Sequence, residues 1–314
     1  MKKKIIIDTD CGVDDSLALL CALNSDKLEI LCITTVFGNV SVRQAAHNTS
    51  YILRMTERED IPILIGQAKP IVQPLRYPPD FIHGKYGLGT IRSEYTGKNV
   101  LTTSAVEYLI QTIRNSDDKI TIITIGPLTN IGLALQLAPD IQDNIEEIIV
   151  MGGAYQANGN VSPAAEANIY GDAIAAEIVF RSDCLTTMVG LDVTTKVVMD
   201  KDYLSVLNNH KLYGNFIKSI TGTYYDFHVN CFDIHGITPH DLVTVLYSID
   251  KSLFTTIQGR IYVSADGRMM GQTYVDRRTD IVPGTEWDNR IKSNICTEVN
   301  VENLLSEFKN ILFQ

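Results

Sequence analysis

The stretch Ile5-Ile6-Ile7-Asp8-Thr9-Asp10-Cys11-Gly12-Val13-Asp14-Asp15 decides the fold. Three consecutive isoleucines show no alternation of polar and apolar residues, so they read as a strand buried on both faces. The acids and Gly12 break that strand. Residues 13–23 then read as a helix with Asp14 and Asp15 in its first turn, where the helix dipole favours negative charge. Working outward, strand-like runs recur at residues 28–36, 61–65, 120–125, 145–151 and 185–191, with helical runs at 42–55, 128–137 and 173–180 between them. The expected class is therefore α/β, a doubly wound, mostly parallel central sheet flanked by helices. Residues 200–227 read as a helical cap segment. Residues 259–263 and 271–275 read as a small C-terminal hairpin turning at Ala265-Asp266-Gly267. Residues 69–97, rich in Pro, Gly and Tyr, read as a long loop of the kind that often carries function.

The chain has 314 residues, 27 Lys+Arg against 37 Asp+Glu and a net charge of −10. With no repeat or linker in the pattern, one domain over residues 1–314 is expected. The acidic balance argues against nucleic acid as partner, because that needs a basic patch to release counterions. No apolar run reaches the roughly 18 residues of a membrane span, and Asp8 interrupts any signal-peptide core. Cys11, Cys21, Cys32, Cys184, Cys231 and Cys296 form no CxxC pair, which favours a reducing, cytoplasmic setting over a disulfide framework or zinc site.

Four carboxylates within eight positions repel one another, and at the carboxyl end of a parallel strand they face the place where ligands bind. Helix capping accounts for one or two of them, not four. An all-oxygen set suits Ca²⁺ or Mg²⁺ rather than zinc. An EF-hand loop beginning at Asp8 fails, since Val13 and Leu19 stand where Gly and Glu are required. A Mg²⁺-dependent phosphatase of the haloacid-dehalogenase type remains as an alternative, with Asp8 as nucleophile, Asp10 as acid and a later Gly171-Asp172.

Further blocks follow: Phe37-Gly38-Asn39, His83-Gly84-Lys85-Tyr86-Gly87-Leu88, Gly126-Pro127-Leu128-Thr129-Asn130, Met151-Gly152-Gly153, Asn160, Ala165-Glu166-Ala167-Asn168-Ile169-Tyr170 and His240-Asp241. In this order they resemble the inosine-uridine-preferring nucleoside hydrolase family, over Asp8 to about Asp241. The resemblance implies calcium-dependent hydrolysis of the N-glycosidic bond of ribonucleosides, with Ca²⁺ held by Asp10, Asp15, Asp241 and the Ile125 carbonyl. It implies Asp10 as general base toward the attacking water, and His240 as the group that protonates the leaving base. Asp14, Asn39 and Asn168 would contact the 2′- and 3′-hydroxyls, and Asn160 and Glu166 the 5′-hydroxyl. Met151 would line the sugar pocket and His83 close over the substrate.

At the nucleobase end the segment offers Tyr224, Tyr225, His228 and Phe232, of which Tyr225 and His228 are the stacking candidates. The family also implies a homodimer or homotetramer acting on a small-molecule ribonucleoside. A non-catalytic nucleoside or ribose sensor stays open as a second alternative.

Overall fold

A computed structural model of the chain describes residues 2–280 and 283–314. The first half runs β1 (Lys3–Thr9), α1 (Val13–Asn24), β2 (Leu28–Thr35), α2 (Val42–Met55), β3 (Ile63–Ile65), α3 (Asp80–His83), β4 (Val100–Leu101), α4 (Ala105–Arg114), β5 (Ile120–Thr124), α5 (Thr129–Leu137) and β6 (Ile145–Met151). The second half runs α6 (Ala167–Gly171), α7 (Ala173–Arg181), β7 (Thr186–Val189), α8 (Leu191–Thr194), β8 (Met199–Asp200), α9 (Lys201–Asn208), α10 (Gly214–Phe232), β9 (Gly236–Ile237) and α11 (His240–Ile249). It closes with β10 (Phe254–Val263), β11 (Thr273–Asp276), β12 (Ser293–Val299) and α12 (Val301–Leu312).

The main sheet has the order β11-β10-β12-β7-β6-β5-β1-β2-β3-β4. From β12 to β4 every neighbouring pair is parallel; β10, near one edge, runs against the rest and pairs antiparallel with both β12 and β11. Both faces are covered, which explains the unbroken apolar strands. Ile5 and Ile7 enter a core built with α1, α2, α10, α11 and α12, and Ile6 enters the opposite core with α4, α5 and α7. The strand order reverses between β1 and β5, and at such a switch point the two following loops diverge and leave a crevice. Asp8 pairs with Thr124 across that junction. The acidic turn after β1 and the Ile125-Gly126-Pro127 turn after β5 therefore open into one crevice.

The α/β class, the parallel core and the β1–α1 unit agree with the sequence reading. Three segments came out differently. The 69–97 loop contains the short helix α3, and after it come β4 and α4, which the reading passed over. The cap is two helices, α9 and α10, and a small β8–β9 pair braces its ends. The hairpin is part of the main sheet, because β10 starts at Phe254 and pairs along its first half with β12. The connection to β11 spans 264–272 with a single 3-10 turn at Gly267–Met269, longer than the tight turn expected.

Phe180, 1% exposed, fills the core between α7 and the sheet. Phe180→Ala should lower stability by about 3–5 kcal/mol. In urea denaturation this appears as a lower midpoint with an unchanged slope.

Candidate active site

The turn after β1 is built to hold acids close together. Gly12 caps α1, and its N–H donates to Asp15 Oδ2 at 2.8 Å, while Thr9 Oγ1 donates to Asp15 Oδ1 at 2.5 Å. Cys11 sits at φ +22°, a strained conformation for a residue with a side chain. Asn48 holds it there, donating from Nδ2 to the carbonyls of Cys11 (2.9 Å) and Tyr86 (2.8 Å) and so tying the acidic turn to the 83–88 block.

Asn39 straddles two acids. Its N–H donates to Asp10 Oδ2 at 2.7 Å, and its Nδ2 reaches Asp15 Oδ2 at 3.0 Å and Asp10 Oδ1 at 3.3 Å. The preceding residue must be glycine, since a Cβ at Gly38 would lie 1.9 Å from Asp10 Oδ2. From the β5 side, Gly126 presses on the same carboxylate, where a Cβ would stand 3.2 Å from Asp10 Oδ1.

Asp241, in the first turn of α11, arrives from the far half of the chain. Carboxylate oxygens of Asp14, Asp15 and Asp241 lie within 4.8 Å of one another, all three buried. Burial pushes every one of these acids up, and the neighbouring carboxylates push further: Asp14 to about 8, Asp10 and Asp241 well above the usual range. The nearest basic side chain, His83, has Nδ1 3.8 Å from Asp14 Oδ1, but burial lowers its pKa to about 3, so it is neutral. Its Nδ1 accepts the Val13 N–H at 3.2 Å, which leaves the proton on Nε2. Expected on the loop, His83 turns out 6% exposed, packed 5.3 Å from the ring of Tyr224.

Asp8 is separate. It is fully buried, accepts from Asn130 Nδ2 at 2.7 Å and from Thr34 Oγ1, and does not line the cavity. A phosphatase nucleophile must be reachable, so the Asp8 alternative falls.

A second group of polar residues is joined through threonines. His228 Nδ1 lies 2.8 Å from the Tyr224 carbonyl, its Nε2 lies 2.6 Å from Thr238 Oγ1, Thr238 Oγ1 lies 3.2 Å from His240 Nε2, and His240 Nδ1 lies 2.8 Å from Thr194 Oγ1. A carbonyl can only accept, so His228 carries its proton on Nδ1, Thr238 donates to His228, and His240 donates from Nε2 to Thr238. Burial depresses both imidazoles, His240 to about 3. The Tyr224 hydroxyl donates to the Thr238 carbonyl at 3.1 Å and also meets Asp14, linking the two groups.

The cavity of about 590 Å³ is lined at its deep end by Asp10, Asp14, Asn39, Ile125, Met151 and Asp241. Asn168 Nδ2 contacts the carbonyl of Met151 at 3.2 Å and that of Ile125 at 3.5 Å. Asn160 accepts the Ala167 N–H at 3.0 Å, and Glu166 accepts N–H groups of Gly153, Asn168 and Ile169 at 2.9–3.1 Å. Towards the mouth, Phe81 and Phe227 pack 5.8 Å apart, and Phe227 and Phe232 5.4 Å apart.

Of the residues expected in the site, Tyr225 is the one that the structure turns away. It packs against the apolar core, and its neighbour Tyr224 lines the cavity, because successive helical side chains diverge by about 100°. Asp15 lies beneath the lining, bonded to Asn39. The sequence reading missed Thr194 and Thr238. Their only signal was proximity in sequence to His240 for Thr238, and none for Thr194.

The chain matches the model of a family described as inosine-uridine preferring nucleoside hydrolase over residues 5–306. It is 35% identical to uridine nucleosidase 1 of Arabidopsis thaliana across 98% of this chain and 92% of that protein. It is 36% identical to a pyrimidine-specific ribonucleoside hydrolase of Salmonella enteritidis across 88% and 89%. Its fold superposes on a plant nucleoside hydrolase with TM-score 0.96 at 34% identity, covering 100% and 99% of the two chains. A purine-preferring ribonucleoside hydrolase from Gardnerella vaginalis gives TM-score 0.90 at 30% identity, covering 99% and 98%.

The buried acids set a pH dependence with a definite sign. Asp14 is raised to about 8, and Asp8 and Glu166 to about 7. Groups raised on folding stabilise the protein below their unfolded pKa, near 4, and that contribution is lost as pH climbs through 7–8. In chelator the melting temperature should fall by several degrees between pH 5.5 and pH 8. An added divalent cation should raise it more at pH 8 than at pH 5.5, measured by scanning calorimetry.

Proposed function

This chain belongs to the inosine-uridine preferring nucleoside hydrolase family and is a ribonucleoside hydrolase, and we propose that it works through the acid cluster at the β1–β5 crevice with Ca²⁺ as its resident ion. The observation that carries the proposal is the convergence of Asp14, Asp15 and Asp241 within 4.8 Å, with Asp10 alongside and no charged basic partner among the described residues. A buried all-carboxylate set of this kind is compensated by protonation or, in its ionised form, by a hard cation. Asp10, Asp15, Asp241 and the Ile125 carbonyl are the proposed ligands, with Asp14 positioned to take part. Bound there, a divalent ion would bring the acids back into their ionised form, acidify a water and engage the ribose diol.

The protein's own groups supply the rest. Asp10 is oriented by two donors from Asn39, and as a carboxylate it accepts the proton of the water that attacks the anomeric carbon. As the glycosidic bond breaks, positive charge develops on the ribose ring. The buried carboxylates of the deep end stabilise it, while Asn39, Asp14 and Asn168 hold the 2′- and 3′-hydroxyls. Asn160 and Glu166 receive the 5′-hydroxyl. Electrons released to the base are met by a proton at the imidazole end, where His240 is the donor. His240, neutral and sharing its one proton with Thr238, has to take up a second proton to serve as that donor, and His228 and Tyr224 line the same wall.

Uridine is the proposed substrate, on the names of the relatives that share 35–36% identity. One nucleoside-hydrolase-like domain over 1–314, a homodimer or homotetramer, and a cytoplasmic setting complete the reading. No helix among the described residues is long and apolar enough to cross a membrane.

Incubation with uridine should release equimolar ribose and uracil, and chelator should abolish the release until Ca²⁺ is restored. Uridine binding in calorimetry without ribose would instead mark a sensor. Asp10→Asn should lower kcat by at least about 10³-fold, more than a general base alone contributes because the residue also serves the ion, with an unchanged circular dichroism spectrum. His240→Ala should cost most on nucleosides whose base needs protonation and least on those with an acidic leaving group, such as p-nitrophenyl riboside. Equal losses on both would remove the acid assignment.

A further inference from the structure

The fifteen-residue connection from β6 to α6, residues 152–166, carries Asn158 to Val161 into the cavity wall without a helix or strand of its own. Its far end is held by its own turns, with Gly159 N–H donating to the Pro163 carbonyl and Asn160 N–H to the Ala165 carbonyl, both at 3.1 Å, and by a bridge from Ala165 to Gln272. Its near end is held from outside. Asp192, in the first turn of α8, accepts three consecutive backbone N–H groups: Tyr155 on Oδ2 at 2.7 Å, and Gln156 and Ala157 on Oδ1 at 2.7 and 3.1 Å. Thr273 on β11 closes the residue before them, its Oγ1 accepting the Ala154 N–H at 3.0 Å and donating to the Ala154 carbonyl at 2.7 Å. Asp192 itself does not line the cavity.

The helix that bears Asp192 also bears Thr194, whose hydroxyl meets His240 Nδ1 at 2.8 Å. Leu191 N–H bonds the Gly153 carbonyl at 2.9 Å, so this short element is fastened to the loop at two points. We infer that Asp192 is a positioning residue for the 5′-hydroxyl end of the substrate, fixing the 155–157 backbone so that Asn160 is held in place against the helix that orients His240. The inference rests on the reading of Asn160 and Glu166 as the 5′-hydroxyl contacts. The chemistry is specific to a carboxylate. Three N–H donors converge on two oxygens, and an amide in its place would point its own donors at one set of them.

The test compares uridine with 5′-deoxyuridine in the Ca²⁺-loaded enzyme. The wild type should favour uridine. In Asp192→Asn, kcat/KM for uridine should fall by about tenfold, the scale of one lost hydrogen bond to substrate, mainly through KM. The value for 5′-deoxyuridine should move less than about threefold, and Asp192→Ala should extend the same pattern. Thr273→Val, which keeps the shape and removes both bonds to Ala154, should narrow the preference in the same direction and serves as the deciding variant if the Asp192 variants do not fold. Equal losses on both substrates, or an unchanged preference, would overturn the role of Asp192. A wild type that does not distinguish the two substrates would overturn the 5′-hydroxyl reading itself, and the positioning role with it.

Discussion

The constraint on which this molecule depends is the close burial of like charges. Asp10, Asp14, Asp15 and Asp241 are buried together, and among the described residues no ammonium or guanidinium pairs with them. Removing one carboxylate from water is costly, and placing several together multiplies the cost. Much of the local architecture makes sense only as a device for holding them there. Gly38 lacks a side chain because Asp10 occupies its place. Asn39 turns its backbone N–H to Asp10 and its side-chain amide to both Asp15 and Asp10. Cys11 accepts a strained backbone and Asn48 secures it. The sheet topology supplies the place, since only at the reversal between β1 and β5 do two loops part to leave room for such a cluster.

The opposite end of the cavity has a different electrostatic character. His228 and His240 are depressed by burial, so two imidazoles stand neutral there, and His83, beside Asp14, is neutral as well. A neutral set suits an uncharged heterocycle, and it avoids pairing with the acids, which would compete with a cation for them. Tyr224 belongs to both ends, since its hydroxyl meets Asp14 and its carbonyl fixes the tautomer of His228. The cavity is therefore graded from carboxylates through amides to imidazoles and aromatic rings, matching a molecule with a polyol at one end and a flat base at the other.

What the sequence made legible was whatever is encoded locally. The Ile5–Asp15 stretch shows strand, turn, helix and acid cluster together, because all four follow from adjacent residues. Asp241 was readable only beside His240 and through the family resemblance, for nothing local distinguishes a ligand from a capping acid. Tyr225 and Tyr224 could not be told apart without the helix phase, which a one-residue shift in α10 reverses. Thr194, Thr238 and Asp192 were illegible for a different reason. Each acts by a hydrogen bond across 10 to 46 positions of sequence, and serine, threonine and aspartate occur in any turn. The hairpin half of β10 and most of β11 were legible, while the first half of β10 and all of β12 escaped notice because half-exposed polar positions interrupt their apolar period.

Those edge strands bear on the site more than their position suggests. Gln272, beside β11, bridges to Ala165 one residue before Glu166, and Gly271 packs against Tyr170 so closely that a Cβ would stand 2.9 Å from its Cα. Arg290, with a side chain only 4% exposed, is paired with Glu177 of α7 and donates to the Ile261 carbonyl at 2.8 Å, locking the same edge to the helix layer. A parallel sheet ending at β12 would leave the 152–166 connection with solvent behind it. With the antiparallel pair in place, that long irregular segment is held from one side by β11 and from the other by α8. An irregular loop placed in this way is fixed nearly as firmly as a strand, so the C-terminal strands set part of the cavity wall as well as the edge of the sheet.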